Sequence, residues 1–297
     1  MFKKLTKKQI RILVNRAVSA LVLYCKKHNR HFIVTGVSGG LDSAVVIALA
    51  SRACKLAKKQ GFDLTSVGLI IPCHSSLDSQ IFTKKVIAKF GAKEIIINLT
   101  DVYDFAKSDV LNNLDKQLEM LKPADELVDR IAQGNVKARL RMALGTYHVA
   151  RRLSGMVLST DNLSEYWMGF WTICGDVGDY GMVQNVMKGL ELYDVARYLG
   201  VPQEILDAKP DDGLGVAGGD EDQLGAPYEV IDKIMIKLIE GGFDINGEMS
   251  QLNNLPKING ISKDLVYQIA HRVMITAFKR RGVINLSRQE LGLDPIK

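Results

Sequence analysis

Four short apolar runs in the first half of the chain predict buried β-strands. Turn-forming or polar residues bound each run, as is typical of a strand covered on both faces. The runs span residues 31–36, 64–71, 94–99 and 156–160. Their lengths suit strands better than helices.

Apolar positions with helical spacing lie between these runs. After the first strand, apolar side chains recur on one helical face at Val45, Val46, Leu49, Ala53 and Leu56. A second helix is predicted over residues 77–90, ending at Gly91. Residues 101–153 are expected to form two or more helices, with Lys122-Pro123 as the break. The alternation predicts a doubly wound α/β fold with a mostly parallel sheet and right-handed crossovers.

The last third of the chain has a different pattern. A helical segment over residues 191–199 stops at Gly200, and residues 209–227 are rich in Gly, Asp and Pro. Such a stretch predicts a long mobile loop. Two amphipathic helices should follow, the second capped by Ser262. We therefore expect one domain over residues 1–297, with an α/β core at about 30–200 and a C-terminal helical extension over 228–282.

Composition places the chain among ordinary globular proteins. Hydrophobic residues make up 47% and charged residues 24% of the chain. No apolar run reaches the ~18 residues needed to span a bilayer, so no membrane partner is expected. Residues 1–11 are lysine-rich without an apolar segment, which is not the pattern of a secretory signal. We expect a cytoplasmic protein.

Cysteine spacing and net charge narrow the function classes further. Cys25, Cys54, Cys73 and Cys174 are far apart, which favours free thiols over a disulfide framework or zinc site. The formal net charge is +6, which can indicate a nucleic acid or a small anionic substrate. Because the lysines are spread over helix faces without interleaved aromatic residues, we expect no nucleic-acid partner.

The sharpest local signal is a glycine-rich turn between the first strand and its helix. It comprises Gly36, Val37, Ser38, Gly39, Gly40, Leu41, Asp42 and Ser43. The glycines let backbone N–H groups converge on an anion, and the helix N-terminus adds partial positive charge. A carboxylate at Asp42 is favourable beside phosphates only if a divalent cation bridges them. The alternative is a tight turn in which Asp42 or Ser43 caps the helix.

This turn resembles the pyrophosphate loop SGGxDS of the N-type ATP pyrophosphatases. It is neither a Walker loop nor a GxGxxG turn. The resemblance implies an adenine nucleotide alpha hydrolase-like fold, cleavage of ATP between its α and β phosphates, and adenylation of an acceptor. It does not choose among the members of that superfamily.

Further segments resemble the NAD synthetase family, in the family's order. They are GNVKARLRM at 134–142, STDNLSE at 159–165, GFWTICGD at 169–176, and a tail with Gly200-Val201-Pro202, Asp220-Glu221-Asp222, Gly225 and Tyr228. The resemblance implies ATP contacts from Thr160 and Lys188 and a Mg²⁺ site at Asp42 and Glu165. It also implies catalytic roles for Asp42 and Lys188, and substrate contacts from Arg139, Asp176, Asp179 and Lys279.

Arg139, Glu165 and Lys188 also have a plain structural interpretation. Asn135 could cap a basic helix that happens to contain Arg139. Glu165 could be a first-turn helix charge, and a single lysine such as Lys188 is more often solvated than bound.

The segments expected to bind the acceptor substrate depart from the family pattern. Ile173 and Phe278 stand where the family has a lysine and a histidine, and Asp211 replaces a threonine. The arginine expected before Pro72 is absent, and the stretch ending at Tyr180 is one residue shorter. These departures place the identity of the acceptor, rather than the activation chemistry, in question.

The resemblance implies that the carboxylate of deamido-NAD is adenylated and that ammonia then displaces AMP, forming NAD. Residues 1–31 leave no room for a glutaminase domain, so ammonia is expected from solution or a partner. The resemblance also implies a homodimer. One alternative is a related enzyme that amidates or thiolates another acceptor, with Cys73 and Cys174 as a possible thiol pair. Another is a nucleotide-binding regulator without turnover.

Overall fold

The computed structural model describes residues 4–122, 125–210, 218–282 and 286–292. The four predicted strands are present, with ends shifted by a few residues. They are β1 (Phe32–Gly36), β2 (Thr65–Ile70), β3 (Lys93–Ile96) and β4 (Met156–Ser159). A short strand, β5 (Tyr180–Gly181), was not predicted. Two residues are too few to show an apolar alternation.

The strands form one sheet whose order places β1 beside β4. The order is β3-β2-β1-β4-β5, and all four strand pairs are parallel. The chain therefore builds outward from β1 in one direction and from β4 in the other. In such sheets, ligands bind beyond the carboxyl ends of the strands where the order reverses. The segments that follow β1 and β4 are thus the first candidates for a site.

Helices precede, connect and follow the strands. In chain order they are α1 (Lys7–Lys27), α2 (Leu41–Lys59), α3 (Leu77–Phe90), α4 (Thr100–Phe105), α5 (Asn112–Leu118), α6 (Glu126–Leu140), α7 (Tyr147–Arg152), α8 (Leu163–Met168), α9 (Tyr193–Leu199), α10 (Gln203–Leu206), α11 (Asp220–Leu224), α12 (Tyr228–Glu240), α13 (Lys263–Ile275) and α14 (Ala277–Arg281). Wider π turns follow α4 and α6 and precede α9, at Ala106–Leu111, Arg141–Thr146 and Lys188–Leu192. A 3-10 turn spans Met249–Asn254.

Successive side chains of β1 pack on opposite faces of the sheet. Ile33 joins a large core with α1 and α2, whereas Val34 packs with Val67 and Ala150 on the other face. This alternation follows from the pleat of a strand. Helices on both faces confirm the doubly wound α/β prediction.

Helix ends follow the predicted signals where these are strong. Gly91 and Gly200 end α3 and α9 in the left-handed conformation, as expected for glycine. The Ser262 side chain accepts the Leu265 N–H and caps α13. Helix α1 was not anticipated, and its N-terminus is a capping box of Thr6 and Gln9.

Other predictions are altered by the structure. The alternative with Asn135 as a helix cap is wrong, because Asn135 lies inside α6 and Asp125 caps that helix. Within the expected loop at 209–227, residues 220–224 form α11, since three acidic residues favour a helix N-terminus. Asp211 lies outside the described residues, as does Pro123 of the predicted break between helices.

The chain divides into two compact units. One comprises the residues up to Glu165 together with Trp171–Asp232, and contains the sheet. The other comprises Tyr166–Phe170 and the residues from Lys233 onward. The expectation of a single domain stays a prediction. Among the described residues, no helix is both long and apolar enough to cross a bilayer.

Candidate functional site

The loop after β1 is built as a tight backbone cradle. Gly39 has φ +86°, and a Cβ there would lie 2.8 Å from the Ser79 carbonyl oxygen. Both constraints require glycine. The Ser79 hydroxyl donates to the Ser38 carbonyl at 2.7 Å. The first turn of α3 therefore helps to hold the loop, in addition to the strand and helix that the loop connects.

The loop hydroxyls bond within the loop. The Ser38 N–H donates to the Ser43 hydroxyl at 3.2 Å, and the Gly40 N–H donates to the Ser38 hydroxyl at 3.2 Å. Gly40 occupies the cap position of α2 without a side-chain bond. The alternative in which Asp42 or Ser43 caps this helix is therefore wrong.

Asp42 points from the first turn of α2 toward the segment after β4. Its Oδ1 accepts from Asn162 Nδ2 at 2.7 Å, and its Oδ2 lies 2.9 Å from Lys188 Nζ. Thr160 is the first residue after β4. The two segments that flank the reversal in strand order thus meet through these side chains.

Glu165 both caps the start of α8 and faces Lys188. Its backbone N–H donates to Asn162 Oδ1 at 3.0 Å, and its Oε2 accepts the Asn162 N–H at 3.3 Å. This reciprocal pair fixes the start of α8. The other carboxylate oxygen, Oε1, lies 3.0 Å from Lys188 Nζ. The capping role therefore orients the carboxylate toward the lysine.

Lys188 is buried, with a side chain only 4% exposed, and three carboxylates surround its ammonium. Besides Asp42 and Glu165, Asp220 Oδ2 lies 3.4 Å from Nζ. The Tyr228 ring lies beneath Nζ, 4.5 Å from its centroid, within the range of a cation–π contact. The Tyr228 hydroxyl lies 3.2 Å from Asp220 Oδ2 and 3.4 Å from Glu165 Oε1. The interpretation of Lys188 as a solvated lysine is wrong.

Burial and charge shift the pKa values of this cluster. Burial alone would lower the pKa of Lys188, but Asp42 and Glu165 raise it well above its ordinary value. Burial raises the pKa of Glu165 to about 8, against the opposing effect of the Lys188 ammonium. Burial and then the charge of Glu165 raise the pKa of Tyr228. Lys188 is therefore a permanent cation and Tyr228 a permanent hydroxyl donor at neutral pH.

A second buried carboxylate fixes the backbone of Lys188. The Lys188 N–H donates to the Ser164 hydroxyl at 2.8 Å, and that hydroxyl donates to Asp232 Oδ1. Asp232 Oδ2 accepts the N–H groups of Gly189 and Leu190 at 2.9 and 3.1 Å. The start of the Lys188–Leu192 turn is thereby held by Ser164 and Asp232.

Arg139 lies beside the loop that contains Ile173. Its Nε donates to the Ile173 carbonyl at 3.2 Å, and the Thr172 hydroxyl donates to Asn135 Oδ1 at 2.6 Å. Asp176 closes the loop by accepting the Thr172 N–H at 2.6 Å. The Ile173 side chain is 41% exposed. Two residues of α6 therefore hold the loop that contains the exposed, apolar Ile173 side chain.

The other two predicted acceptor contacts have structural partners. Asp179 Oδ2 accepts the Val157 N–H of β4 at 2.9 Å, and Oδ1 lies 3.3 Å from the Arg151 guanidinium. Lys279 belongs to the second unit, where its Nζ donates to the Gly169 carbonyl at 2.8 Å. In that unit Arg280 donates to the Trp167 carbonyl at 2.9 Å.

The cluster contains residues to which the sequence analysis assigned no role. Asp220 and Tyr228 belong to a tail that resembles the family, but no pattern indicated that they face Lys188. Asn162, Ser164 and Asp232 were also missed. A polar side chain buried on an amphipathic helix, as Asp232 is on α12, was the available signal.

Comparisons with known proteins identify the family of the chain. Residues 13–283 match the family described as NAD synthase. The NH(3)-dependent NAD(+) synthetase of Pyrococcus furiosus is 32% identical over 96% of this chain and 99% of its own. The protein of the same description from Pyrococcus horikoshii is 31% identical over 95% and 98%.

Solved structures share the fold. The NMN synthetase of Francisella tularensis superimposes with a TM-score of 0.69 at 25% identity, covering 93% of this chain and 98% of its own. The NH3-dependent NAD synthetase of Campylobacter jejuni has a TM-score of 0.66 at 21% identity, covering 94% and 99%. The resemblance inferred from the sequence is confirmed, and the chain belongs to the NAD synthase family of ATP-using carbon–nitrogen ligases.

Proposed function

We propose that this chain adenylates the carboxylate of deamido-NAD with ATP and transfers the acyl group to ammonia, releasing NAD, AMP and pyrophosphate. The observation that supports this most directly is the convergence of Asp42, Glu165 and Lys188 beyond β1 and β4. That is where a doubly wound sheet binds its ligand. A nucleotide whose phosphates lie on the loop of residues 36–43 would be within reach of the Lys188 ammonium.

The chemistry requires stabilisation of negative charge on the departing pyrophosphate. The backbone N–H groups at the start of α2 would contribute to this, because a helix N-terminus favours an anion. Lys188 supplies a full positive charge in a buried setting, where it is worth more than in water. Neither step needs a nucleophilic side chain, since the acceptor carboxylate and ammonia are themselves the nucleophiles.

The donor set fits a Mg²⁺ ion shared with ATP. Among the described residues, no three His, Cys, Asp or Glu side chains are arranged to hold a metal alone. Asp42 and Glu165 offer hard oxygen ligands, and phosphate oxygens and waters would complete the shell. Three carboxylates face one ammonium, so the cluster favours a further cation. When bound, Mg²⁺ offsets the charge of the phosphates.

On the acceptor side, Arg139 and Asp176 hold the loop of residues 172–176 and would position the dinucleotide through it. Asp179 and Lys279 are proposed as further contacts. Asp179 Oδ2 accepts the Val157 N–H, and Lys279 Nζ donates to the Gly169 carbonyl. Asp179 Oδ1 also accepts from the Tyr147 hydroxyl at 3.1 Å. Each is a polar group of a kind that binds ribose hydroxyls or a carboxylate.

One feature favours a second acceptor, the mononucleotide that contains the same carboxylate as deamido-NAD. Ile173 places an exposed apolar side chain where the family has a lysine, which removes a positive charge that a second phosphate would attract. The likeness to an NMN synthetase fits that loss. The thiolating alternative has little support, because Cys73 is buried and burial raises the pKa of its thiol.

A homodimer is supported by an exposed apolar surface on α4 to α6. The apolar stripe comprises Val102, Phe105, Val110, Leu114, Leu118, Leu121, Leu127, Val128 and Ile131, all of them more than one-third exposed. Exposed apolar side chains that lie this close together in the sequence can form an interface. Because self-association of a closed dimer uses one patch twice, a second copy of this chain is the proposed occupant.

Four free thiols suit the reducing cytoplasm, where we place the protein. The proposed nitrogen donor there is ammonia.

The experiment measures NAD and the mononucleotide amide by mass spectrometry. The reaction contains Mg·ATP and ammonium with either acceptor, and glutamine replaces ammonium in a parallel set. We expect deamido-NAD and ammonium to support turnover, and Asp42→Asn to reduce kcat/KM by at least about a hundredfold. Faster turnover of the mononucleotide would transfer the proposal to that acceptor. No turnover of either acceptor would reject it.

A further inference from the structure

The Lys188 ammonium lies between the two carboxylates that are proposed to hold the metal. Its Nζ is 2.9 Å from Asp42 Oδ2 and 3.0 Å from Glu165 Oε1. Mg²⁺ would approach the same oxygens at about 2.0–2.1 Å. Two cations on the same oxygen atoms would repel strongly in a buried setting. The ammonium and a divalent cation therefore compete for one position.

We propose that Lys188 holds the cation position of the nucleotide-free protein, and that a divalent cation displaces its ammonium toward Asp220 and Tyr228. The inference rests on the metal role proposed for Asp42 and Glu165. It adds a function for Asp220 and Tyr228, which retain the displaced lysine. Neither residue has been assigned a role by the resemblance.

The surroundings of Lys188 allow its ammonium to move while its backbone stays. The Lys188 N–H is bonded to Ser164 at 2.8 Å, and Asp232 holds the next two N–H groups. The lysine side chain is a flexible four-carbon stem, so Nζ can change partners at little cost. The backbone anchor restricts that movement to the vicinity of the cluster.

Asp220 and Tyr228 supply the alternative partners. Asp220 Oδ2 is 3.4 Å from Nζ, longer than the two distances to Asp42 and Glu165. The Tyr228 hydroxyl is 3.2 Å from that oxygen, and its ring faces the ammonium at 4.5 Å. A modest shift of Nζ would replace its contacts with Asp42 and Glu165 by closer contacts with Asp220 and Tyr228. The positive charge then remains beside the phosphates instead of entering solvent.

This exchange would keep the buried carboxylates paired at every stage. Without nucleotide, the Lys188 ammonium pairs with Asp42 and Glu165, since an unpaired buried charge is strongly destabilising. With Mg·ATP, Asp42 and Glu165 would hold the metal, and the Lys188 ammonium would become available to the phosphates. Lys188 thus changes from a structural counter-ion to a substrate contact.

The test measures Mn²⁺ binding without nucleotide, from the electron paramagnetic resonance signal of free Mn²⁺. We expect Lys188→Met to bind Mn²⁺ at least about tenfold more tightly than the wild type, because a competing charge a few ångströms away is removed. The matched control is Lys209→Met, whose lysine forms an exposed pair with Asp222 at 2.7 Å. It should change affinity less than about threefold, as a screened surface charge does. Equal effects of the two variants would overturn the competition.

A second arm keeps Lys188 in place and tests its retention. Asp220→Asn should weaken Mn²⁺ binding severalfold more than Asp222→Asn, because the displaced ammonium loses its carboxylate. In the Lys188→Met background, most of that difference should vanish. If the effects of Asp220→Asn and Lys188→Met are additive, Asp220 does not retain the lysine.

These titrations are separate from turnover. NAD formation with no Mn²⁺ binding in any variant would overturn this inference while leaving the proposed function intact. Circular dichroism melts establish that each variant is folded, and Asp220→Asn remains informative if Lys188→Met does not fold.

Discussion

At the scale of single residues, Lys188 organises the site, with three carboxylates and an aromatic ring around one ammonium. The roles of these residues stay predictions, but the sequence did indicate them: Asp42 and Glu165 lie in short segments that resemble the family, and Lys188 follows another such segment by twelve residues. Asp220 and Tyr228 could not be placed in the cluster. They are distant in sequence from Lys188, and only folding brings them to it.

Replacing Tyr228 with phenylalanine tests the contribution of its hydroxyl. The variant keeps the ring beneath Lys188 but removes the group near Asp220 and Glu165. Because a buried acceptor loses its donor, we expect the free energy of unfolding to fall by about 1–3 kcal/mol. Urea denaturation followed by fluorescence measures it. Tyr267→Phe, at a half-exposed position, is the control and should change stability by less than about 0.5 kcal/mol.

Asp232 gives the protein a pH dependence that can be isolated. Burial raises its pKa to about 6, although the Ser164 hydroxyl opposes this, and the unfolded value is near 3.9. A raised carboxyl pKa stabilises the protonated native state, so this contribution is present at low pH and is lost as pH rises from about 4 through 6.

Asp232→Asn should therefore remove part of the pH dependence of unfolding. From pH 4 to pH 7, the wild type should lose up to about 3 kcal/mol relative to the variant. Paired urea titrations at several pH values measure the difference. A difference that stays constant, or that grows in favour of the wild type as pH rises, would contradict the assignment.

At the scale of elements, the strand–loop–helix unit was the most predictable part. Strands buried on both faces are continuous apolar runs, and Gly39 marks a turn that other residues can make only with strain. Strand β5 and helix α11 were not predicted. Strand β5 has only two residues. Helix α11 is a single acidic turn that contacts outside itself help to stabilise; for example, the Glu221 carboxylate accepts the Tyr228 N–H at 2.8 Å.

The loop geometry predicts a specific effect of Gly39→Ala. Its φ is +86° and the new Cβ would meet the Ser79 carbonyl at 2.8 Å, whereas Gly61 has φ +69° and open space around it. Both alanines should cost about 1 kcal/mol for the left-handed backbone. Gly39→Ala should in addition weaken ATP binding by at least about tenfold, as measured by calorimetry. Unchanged ATP affinity in Gly39→Ala would show that the loop does not contact the nucleotide.

At the scale of the whole molecule, the doubly wound architecture followed from the alternation of strands and helices. The resemblance implied a homodimer, but the surface that would form it could not be predicted, because the sequence alone does not show which apolar side chains stay exposed. The apolar stripe on α4 to α6 is the feature of the folded chain that addresses it.

Charges on that stripe should prevent dimer formation. Leu114→Glu combined with Leu118→Glu introduces two carboxylates on one side of α5, where both side chains are exposed. We expect a dimer for the wild type and a folded monomer for the variant by light scattering. Leu77→Glu, at an exposed leucine outside the stripe, should remain dimeric. A monomeric wild type would contradict the proposed interface.

Transfer of oxygen from the acceptor carboxylate to AMP would demonstrate the acyl-adenylate. Deamido-NAD labelled with ¹⁸O in its nicotinate carboxylate is turned over with Mg·ATP and ammonium, and the products are analysed by mass spectrometry. If the carboxylate attacks the α-phosphate, one ¹⁸O must appear in AMP and the other must remain in the amide of NAD. Unlabelled AMP, or ¹⁸O in pyrophosphate, would contradict the account.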